Sequence, residues 1–338
     1  MRSTGALDAR SAFATLAGAL KPGLRGLGAV MAVAGIAMLA PAGGPVQAGQ
    51  AAGPLVDVDW VTANAGRADL RLLDVRNRMS GGSAEVFARG HIPGSVYSDY
   101  LRDGWRKSQA GVPGQLPPIA ELEALIGGLG IGNEDHVVIV AAGASALEMG
   151  SATRVYWTFK VLGHDAVSIL DGGYRAYTAD PANPIATGAA TPDPTVFKAQ
   201  FRPELIADRN DVVAALQAGT RLIDNRPTPQ YLGQSSHPAA RRPGTIPGAL
   251  SLPEGRLTDG AGRFVSKARA TALAQAAGID ASDEGTITFC NTGHWASLGW
   301  FVQSEILGQE NVRLYDGSMV DWTAQPDLPV AAGGRDAP

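Results

Sequence analysis

The chain has 338 residues, of which 18% are charged and 45% are hydrophobic, and its net charge is −4. This length and composition are typical of a globular protein with room for two domains, and they exclude a disordered chain. The net negative charge offers no polyanion-binding surface, so we expect no nucleic-acid partner. The single cysteine excludes an internal disulfide and a cysteine-based zinc site.

The first 48 residues have the pattern of a secretory signal peptide. Basic residues precede an apolar run at 27–40, and the small-residue pattern Val46-Gln47-Ala48 follows it. This order predicts cleavage after Ala48 and a periplasmic or secreted protein. The alternative is an uncleaved N-terminal anchor, although the run is shorter than the roughly 20 apolar residues of a membrane span. We see no second run of this kind and expect no stable membrane association.

Three sequence landmarks occur twice in the same order, which predicts a two-fold internal repeat. Small differences in spacing between the copies are what insertions and deletions in loops produce. The landmarks are Leu-Leu-Asp-Val-Arg at 72–76 and Leu-Ile-Asp-Asn-Arg at 222–226, Ile-Pro-Gly at 92–94 and 246–248, and Leu-Gly followed by Asp-Gly at 162–172 and 307–317.

Strands alternate with helices in each copy. This alternation predicts an α/β fold with two tandem domains, each a parallel sheet flanked by helices on both faces. Gly163 and Gly308 are expected to end the last helix of each copy. The domains are predicted at 55–180 and 200–330, with a linker at 181–199 that is rich in Pro, Ala and Thr. The predicted strands are 70–75, 137–141, 166–170, 221–225, 286–289 and 312–315, and the predicted helices are 119–129, 151–162, 267–277 and 296–307.

Cys290 is the only cysteine, and it directly follows the predicted strand 286–289. A small polar loop and a helix come next, so we expect the thiol at the carboxyl end of a buried strand. Parallel sheets carry their functional sites beyond this edge. Loop N–H groups and the positive end of a helix favour a thiolate there. The alternative is a small buried hydrophobic residue, which is the ordinary role of a single cysteine.

The tandem repeat, the Asp-x-Arg after each first strand, the Ile-Pro-Gly turns, the strand-end cysteine and a closing Asp-Gly-Ser together resemble the rhodanese-like sulfurtransferases over residues 55–325. In that family the first copy is inactive and the second carries the nucleophile. The equivalent loop of the first copy, 142–146, contains no cysteine, in agreement with the resemblance. The resemblance implies two rhodanese-like domains, of which 55–180 is non-catalytic and 200–330 is catalytic.

The resemblance also implies a two-step sulfur transfer. The thiolate of Cys290 would take a sulfane sulfur from thiosulfate or 3-mercaptopyruvate, and cyanide or a thiol would then remove it from the persulfide. No cofactor is expected, and the histidines lack the spacing of metal ligands. N–H groups of the loop after the cysteine would stabilise the persulfide. This active-site loop consists of Asn291, Thr292, Gly293, His294 and Trp295.

The loop has no Arg or Lys, whereas thiosulfate-preferring members of the family commonly place basic residues there. Small polar residues such as Asn291 and Thr292 are closer to mercaptopyruvate-preferring members, which favours a carboxylate donor. Gln230 stands where the family tends to have an Arg. We therefore expect residues outside the loop to meet the donor's charge. The substrate-binding candidates are Arg226, Arg241 and Arg242, with a charged His294 as a fourth.

Alternative interpretations exist for one arginine and for the whole site. Arg226 could instead form a structural ion pair with a carboxylate of its own domain. Cysteine phosphatases share the order strand, cysteine, loop and helix, but they need an arginine six residues after the cysteine, where this chain has Ala296. The remaining alternative to catalysis is a periplasmic protein that uses the same pocket to bind sulfur or a partner protein.

Overall fold

Two five-stranded parallel sheets form the framework of the computed structural model, which describes residues 52–189, 191–280 and 285–332. These residues lie in one unit of the chain. The predicted signal segment at 1–48 lies outside the described residues. Among the residues that are described, none of the helices has both the length and the apolar composition needed to cross a membrane.

The first domain contains seven strands and five α-helices. The strands are β1 (Leu55–Val56), β2 (Leu70–Asp74), β3 (Ser95–Tyr97), β4 (Lys107–Gln109), β5 (Val112–Gln115), β6 (His136–Val140) and β7 (Val167–Leu170). The helices are α1 (Val58–Asn64), α2 (Ala84–Arg89), α3 (Ile119–Gly128), α4 (Ala146–Val161) and α5 (Gly173–Tyr177). The parallel sheet has the order β1-β7-β6-β2-β3. The remaining two strands, β4 and β5, pair only with each other.

Helices cover both faces of this sheet, as the sequence predicts. Successive residues of a strand point to opposite faces, so Leu72 packs in the same cluster as Val61 of α1, while Leu73 packs with Leu122 of α3. A strand that is buried on both sides must be apolar throughout. This requirement explains the continuous apolar run of β6.

The antiparallel hairpin of β4 and β5 was not predicted, because β4 is polar and exposed and β5 is a half-buried Val-Pro-Gly-Gln segment without an alternating apolar pattern. Gln109 pairs with Val112, so Ala110 and Gly111 form the turn between the strands. Both turn residues have positive φ, 49° and 81°. Two positive φ angles are typical of the type I′ turn, whose twist matches that of a two-residue hairpin.

The second domain repeats the first in five strands, which form a parallel sheet, and five α-helices. The strands are β8 (Ile206–Ala207), β9 (Arg221–Asp224), β10 (Leu250–Ser251), β11 (Thr286–Phe289) and β12 (Val312–Tyr315). The helices are α6 (Arg209–Ala218), α7 (Thr228–Tyr231), α8 (Lys267–Ala276), α9 (His294–Phe301) and α10 (Ser318–Ala324). The sheet order is β10-β9-β11-β12-β8. The helix α9 continues as a π-helix at Val302–Ile306.

One apolar core continues from the first domain into the second. The ring of Tyr156 in α4 meets the ring of Phe301 edge-on, with centroids 4.9 Å apart. The hydroxyls of Thr153 and Ser297 lie 2.7 Å apart across the same interface. Cys290 belongs to this shared core. The catalytic candidate is therefore surrounded by side chains of both domains.

Candidate active site

Cys290 directly follows β11, at the carboxyl end of the second sheet. The neighbouring strand β9 ends at the same edge, where the N–H of Asn225 donates to the carbonyl of Phe289 at 2.9 Å. The Cys290 side chain is completely buried, with 0% of its surface exposed. A donor molecule can therefore reach the sulfur atom only after part of the surrounding structure moves.

Ser318 fixes the two ends of the cysteine loop. Its hydroxyl accepts hydrogen bonds from the N–H of Cys290 at 3.0 Å and of Gly293 at 3.2 Å, and it donates to the carbonyl of Tyr315 at 2.8 Å. Ser318 has a φ of +49°, which costs a non-glycine residue about 1–2 kcal/mol. The strain places the hydroxyl between the two N–H groups and is typical of functional sites.

Several N–H groups of the loop are left without an acceptor in the described ranges. They belong to Asn291 and Thr292 and to the first turn of α9, residues 294–296. The first N–H groups of a helix have no partner within the helix and carry its partial positive charge. The loop therefore offers hydrogen-bond donors to an anion without using a metal ion. In the part of the chain that is described, no group of three His, Cys, Asp or Glu side chains is arranged to bind one.

Gly293 lets the loop turn sharply between Cys290 and α9. Its φ is +74°, and a Cβ atom there would lie 2.4 Å from Nη1 of Arg154 and 2.5 Å from Oδ1 of Asp316. Both the backbone conformation and the close packing therefore require glycine at this position. At Gly293 the loop therefore packs directly against an ion pair that joins the two domains.

This ion pair joins Arg154 of α4 to Asp316 after β12, with Nη1 and Oδ1 2.6 Å apart. Arg154 is fully buried and also donates to the carbonyl of Gly293. Burial opposes its charge, but the attraction and the hydrogen bond to Asp316 act against burial, and the net effect is a raised pKa for Arg154. The first domain thus supplies a permanent positive charge near the sulfur.

A second first-domain arginine contacts the loop. Nη2 of Arg106 donates to the carbonyl of Thr292 at 2.5 Å and to its hydroxyl at 3.0 Å. Unlike Arg154, Arg106 is only partly buried. The sequence prediction missed both arginines, because neither lies in a landmark or near Cys290 in the chain.

His294 is buried at the domain interface, so the prediction of a charged, substrate-contacting histidine is wrong. Its Nε2 lies 2.6 Å from the carbonyl of Leu147, and its Nδ1 lies 2.8 Å from the hydroxyl of Tyr100. A carbonyl can only accept, so Nε2 carries the proton and Nδ1 accepts from Tyr100. Burial, followed by the charge of Arg106, lowers the pKa of His294 to about 3. The ring is therefore neutral.

The remaining loop side chains contact other residues of the protein. The Nδ2 of Asn291 donates to Oε1 of Gln230 at 2.8 Å, while its Oδ1 is buried without a partner in the described residues. Gln230, at the position where an arginine was expected, thus contacts the loop directly. Trp295 is half-buried and packs against the shared core. Trp300 is buried in that core.

Two of the three predicted substrate-binding arginines make other contacts in this structure, and for Arg226 these are the structural ion pair that was the alternative interpretation. Arg226 is 1% exposed and forms an ion pair with Asp224 at 2.6 Å. The guanidinium of Arg242 donates to three carbonyls after α10, those of residues 325, 326 and 328. Arg241 is exposed, and no hydrogen bond or ion pair joins it to the loop within the described ranges. Its role as a substrate-binding residue stays a prediction.

In the first domain, a side chain of the protein occupies the loop that corresponds to the cysteine loop. Glu148 of α4 turns back so that Oε1 accepts from the N–H of Ser145 at 2.7 Å and from that of Ala144. The carboxyl group is buried, and burial raises its pKa, while the N–H groups of residues 142–145 oppose that rise. A side chain of the protein thus takes the hydrogen-bond donors that the second domain leaves free.

The fold and the loop together define a tandem rhodanese-like protein, and a comparison with family models agrees. The model described as Rhodanese-like domain matches residues 57–180 and again residues 208–325. The chain therefore belongs to the rhodanese-like family.

Curated and solved relatives indicate the kind of rhodanese-like protein. A Mycobacterium bovis protein, provisionally named thiosulfate sulfurtransferase 1, is 31% identical over 286 residues, which cover 82% of this chain and 98% of the relative. The sulfur carrier protein TtuD of Thermus thermophilus is 29% identical and covers 82% and 96% of the two chains. The crystal structure of SseA from Escherichia coli, a 3-mercaptopyruvate sulfurtransferase, matches with a TM-score of 0.70 at 26% identity, over 79% of this chain and 99% of SseA. A role in sulfur transfer is supported by all three.

Proposed function

We propose that this protein is a sulfurtransferase that moves a sulfane sulfur from thiosulfate or 3-mercaptopyruvate to cyanide or a thiol through a persulfide on Cys290. The observation that carries the proposal is the position of Cys290, the only cysteine of the chain, at a strand end beside a loop with free N–H groups. The names of the relatives support sulfur transfer as the reaction type.

In the first step, the thiolate of Cys290 attacks the outer sulfur of thiosulfate or the thiol sulfur of 3-mercaptopyruvate. With thiosulfate, the S–S bond of the donor breaks, and sulfite leaves with its electron pair. With 3-mercaptopyruvate, the C–S bond breaks, and the pyruvate enolate leaves and takes up the proton of the transferred sulfur. Both donors leave the same persulfide on Cys290, and an acceptor thiolate or cyanide then attacks its outer sulfur and restores the Cys290 thiolate.

The loop stabilises the negative sulfur in this scheme. The free N–H groups of Asn291, Thr292 and residues 294–296 are available to the thiolate and the persulfide. Ser318 takes the N–H groups of Cys290 and Gly293, so these two fix the loop rather than bind the sulfur. Arg154 adds a buried positive charge that needs no movement during the reaction.

Intact-mass measurement tests the proposal, because every bound sulfur atom must sit on the one cysteine. We expect the wild type to gain one sulfur atom after incubation with thiosulfate or 3-mercaptopyruvate, and to lose it again on addition of cyanide. Cys290→Ser should gain nothing and should keep the thermal unfolding midpoint of the wild type. A wild type that takes sulfur from neither donor would contradict the proposal, as would turnover by Cys290→Ser.

A carrier that holds sulfur without rapid turnover is the second candidate. The complete burial of Cys290 favours it, because a closed site suits protection of a persulfide, and TtuD carries that description in its name. Steady-state turnover separates the two candidates. A sulfurtransferase releases many equivalents of thiocyanate from thiosulfate and cyanide, whereas a carrier stops at one equivalent per chain until a specific partner is supplied.

We further propose that the protein acts in the periplasm or outside the cell after removal of residues 1–48. The charged, apolar and small-residue order of that segment supports this location. Cys290 then lies in an oxidising compartment, where the lack of a second cysteine prevents an intramolecular disulfide that would block the nucleophile.

A further inference from the structure

The segment from Arg106 to Leu116, which we call the lid, joins the first domain to the cysteine loop of the second. Arg106 donates to both oxygens of Thr292, and the N–H of Leu116 donates to Oδ2 of Asp316 at 2.6 Å. At Gly114, a Cβ atom would lie 2.9 Å from the carbonyl of Thr292, so the backbone itself packs on the loop. The lid therefore contacts the cysteine loop through Thr292. It also contacts Asp316, which lies two residues before Ser318, the residue that fixes the loop.

The lid is held to the first domain mainly at its surface. Its attachments there are the exposed ion pair of Lys107 with Glu121, the hydrogen bond from Nη2 of Arg154 to the carbonyl of Gly114 at 3.3 Å, and the packing of the half-buried Leu116 on the shared core. None of residues 106–116 is buried, whereas the flanking Trp105 and Pro117 are. Its strands β4 and β5 pair only with each other, and an isolated two-stranded hairpin is marginally stable at best. A cleft of about 370 Å³ separates part of the lid from the second domain. Segments with few buried contacts open at low free-energy cost.

Of the first-domain elements that meet the site, the lid is the one without a buried residue. Cys290 has no exposed surface, so some element must move before a donor reaches it. Its other first-domain neighbours, Tyr100 and Arg154, are fully buried and belong to the shared interface. Displacing them would disrupt the core, whereas lifting the lid breaks a few hydrogen bonds at its edge.

Arg106 carries a charge that the protein does not neutralise. No carboxylate lies within 4.0 Å of its guanidinium among the described residues, whereas Arg154 and Arg226 are both ion-paired. Its Nε donates to the carbonyl of Gly114 and its Nη2 to Thr292, and its guanidinium also forms a side-chain hydrogen bond with Tyr100. A partly exposed guanidinium that has no carboxylate partner is suited to exchanging neutral acceptors for a carboxylate or a sulfonate.

The charge of Arg106 acts over the surrounding site. The pKa values of His294 in the loop and of His237 in the second domain are both lowered. Burial is the largest cause, and the charge of Arg106 is the second. It also lies 5.8 Å from the ring centre of Tyr100, whose pKa is raised chiefly by burial and responds to Cys290 as well. The positive field of Arg106 therefore covers the approach to the sulfur.

We propose that Arg106 recruits the anionic sulfur donor to Cys290, and that the lid which carries it lifts from Thr292 to let the donor in. The donor's sulfonate or carboxylate takes the guanidinium donors that the Thr292 oxygens hold in the closed state. This inference rests on the proposed sulfur transfer for the identity of the donor. The accessibility of Cys290 and the preference of the site for an anionic reagent can be measured without any sulfur transfer.

Alkylation of the single cysteine provides that measurement. Rates of modification by neutral iodoacetamide and anionic iodoacetate are followed by intact mass for the wild type, Arg106→Gln and Arg106→Lys. Arg102→Gln is the matched control, because this nearby exposed arginine makes the same charge change and does not contact the loop. Thermal midpoints check that each variant folds.

We expect Arg106→Gln to react faster than wild type with iodoacetamide, because the contact that closes the lid is lost. Its ratio of iodoacetate to iodoacetamide rates should fall about tenfold, the order of one charge-assisted hydrogen bond. Arg106→Lys should keep most of the ratio, and Arg102→Gln should match the wild type. An unchanged ratio in Arg106→Gln would refute recruitment, and an unchanged or slower iodoacetamide rate would refute the lid.

A second measurement uses the reaction itself. The kcat/KM for thiosulfate should fall roughly 10- to 100-fold in Arg106→Gln, and the decrease of the rate with added salt should be weaker than in the wild type. Equal kcat/KM and equal salt dependence in the two proteins would overturn the assignment of Arg106. If the wild type transfers no sulfur while the alkylation ratios behave as expected, the proposed function fails and the anion-recruiting lid stands.

Discussion

The neutral histidine at the domain interface predicts that acidification destabilises the fold. In the folded protein the pKa of His294 is about 3, against an ordinary value of 6.5. The unfolded chain therefore binds a proton between these values that the folded chain does not. The contribution of His294 to the free energy of unfolding is fully present above pH 6.5 and is lost as the pH falls towards 3. At pH 5 the loss from this one group is about 2 kcal/mol, since each pKa unit corresponds to roughly 1.4 kcal/mol.

Urea unfolding at pH 7.5 and pH 5.0 measures this loss. The matched variant is His294→Gln, because its amide N–H can still donate to the carbonyl of Leu147 but does not titrate. The other histidines are common to both proteins, so the difference between their pH effects isolates His294. We expect the wild type to lose about 2 kcal/mol more than the variant on acidification. Equal losses would show that His294 is not a buried neutral group.

Three further predictions concern the loop and the N-terminus. Ser318→Ala should lower kcat/KM roughly 10- to 100-fold, because two loop N–H groups lose their acceptor; equal kinetics would show that the loop holds its shape unaided. Gly293→Ala should lose more than about 2 kcal/mol in urea unfolding, since its Cβ meets Arg154, whereas Gly66→Ala, with open space around it, should match the wild type. The exported protein should begin near Gly49 by intact mass, and recovery with residues 1–48 attached would contradict the signal prediction.

The buried strands and central helices could be predicted closely because their signal is local. β11 was predicted at its observed bounds, and α3 and α8 to within one residue, since a strand covered on both faces or a helix with one buried face has its own apolar pattern. α4 begins five residues before its predicted start, because Glu148 satisfies N–H groups of the preceding loop. The polar hairpin and the two-residue edge strands have no such pattern and were missed.

The active site likewise has features that local sequence predicts and features that it does not. The positions of Cys290 and its loop follow from the order strand, loop and helix in one short stretch of sequence. The contact of Arg106 with Thr292 joins residues 186 positions apart, and nothing local to either residue indicates it. Only the packing of the two domains creates that contact, and the same packing makes His294 neutral.

For Arg226 a usable signal was present. The same Asp-x-Arg pattern occurs in the first copy, which has no nucleophile, and there Arg76 pairs with Asp74 at 2.7 Å just as Arg226 pairs with Asp224. A motif that is kept in the copy without chemistry indicates a structural role. In each copy the aspartate also accepts a hydrogen bond from the N–H of the arginine two residues later.

The side chain of Glu148 determines how many anion-binding turns the two domains offer. A turn lined by unoccupied N–H groups attracts any small anion, and two such turns in one molecule would compete for the same donor and the same product. The first domain holds the carboxyl group of Glu148 in its turn, where the second domain leaves the corresponding N–H groups beside Cys290 without an acceptor in the described residues. Under the proposed function, sulfite or pyruvate released near Cys290 would meet one vacant anion site, and the first domain would add the positive charge of Arg154 and Arg106 without binding the donor itself.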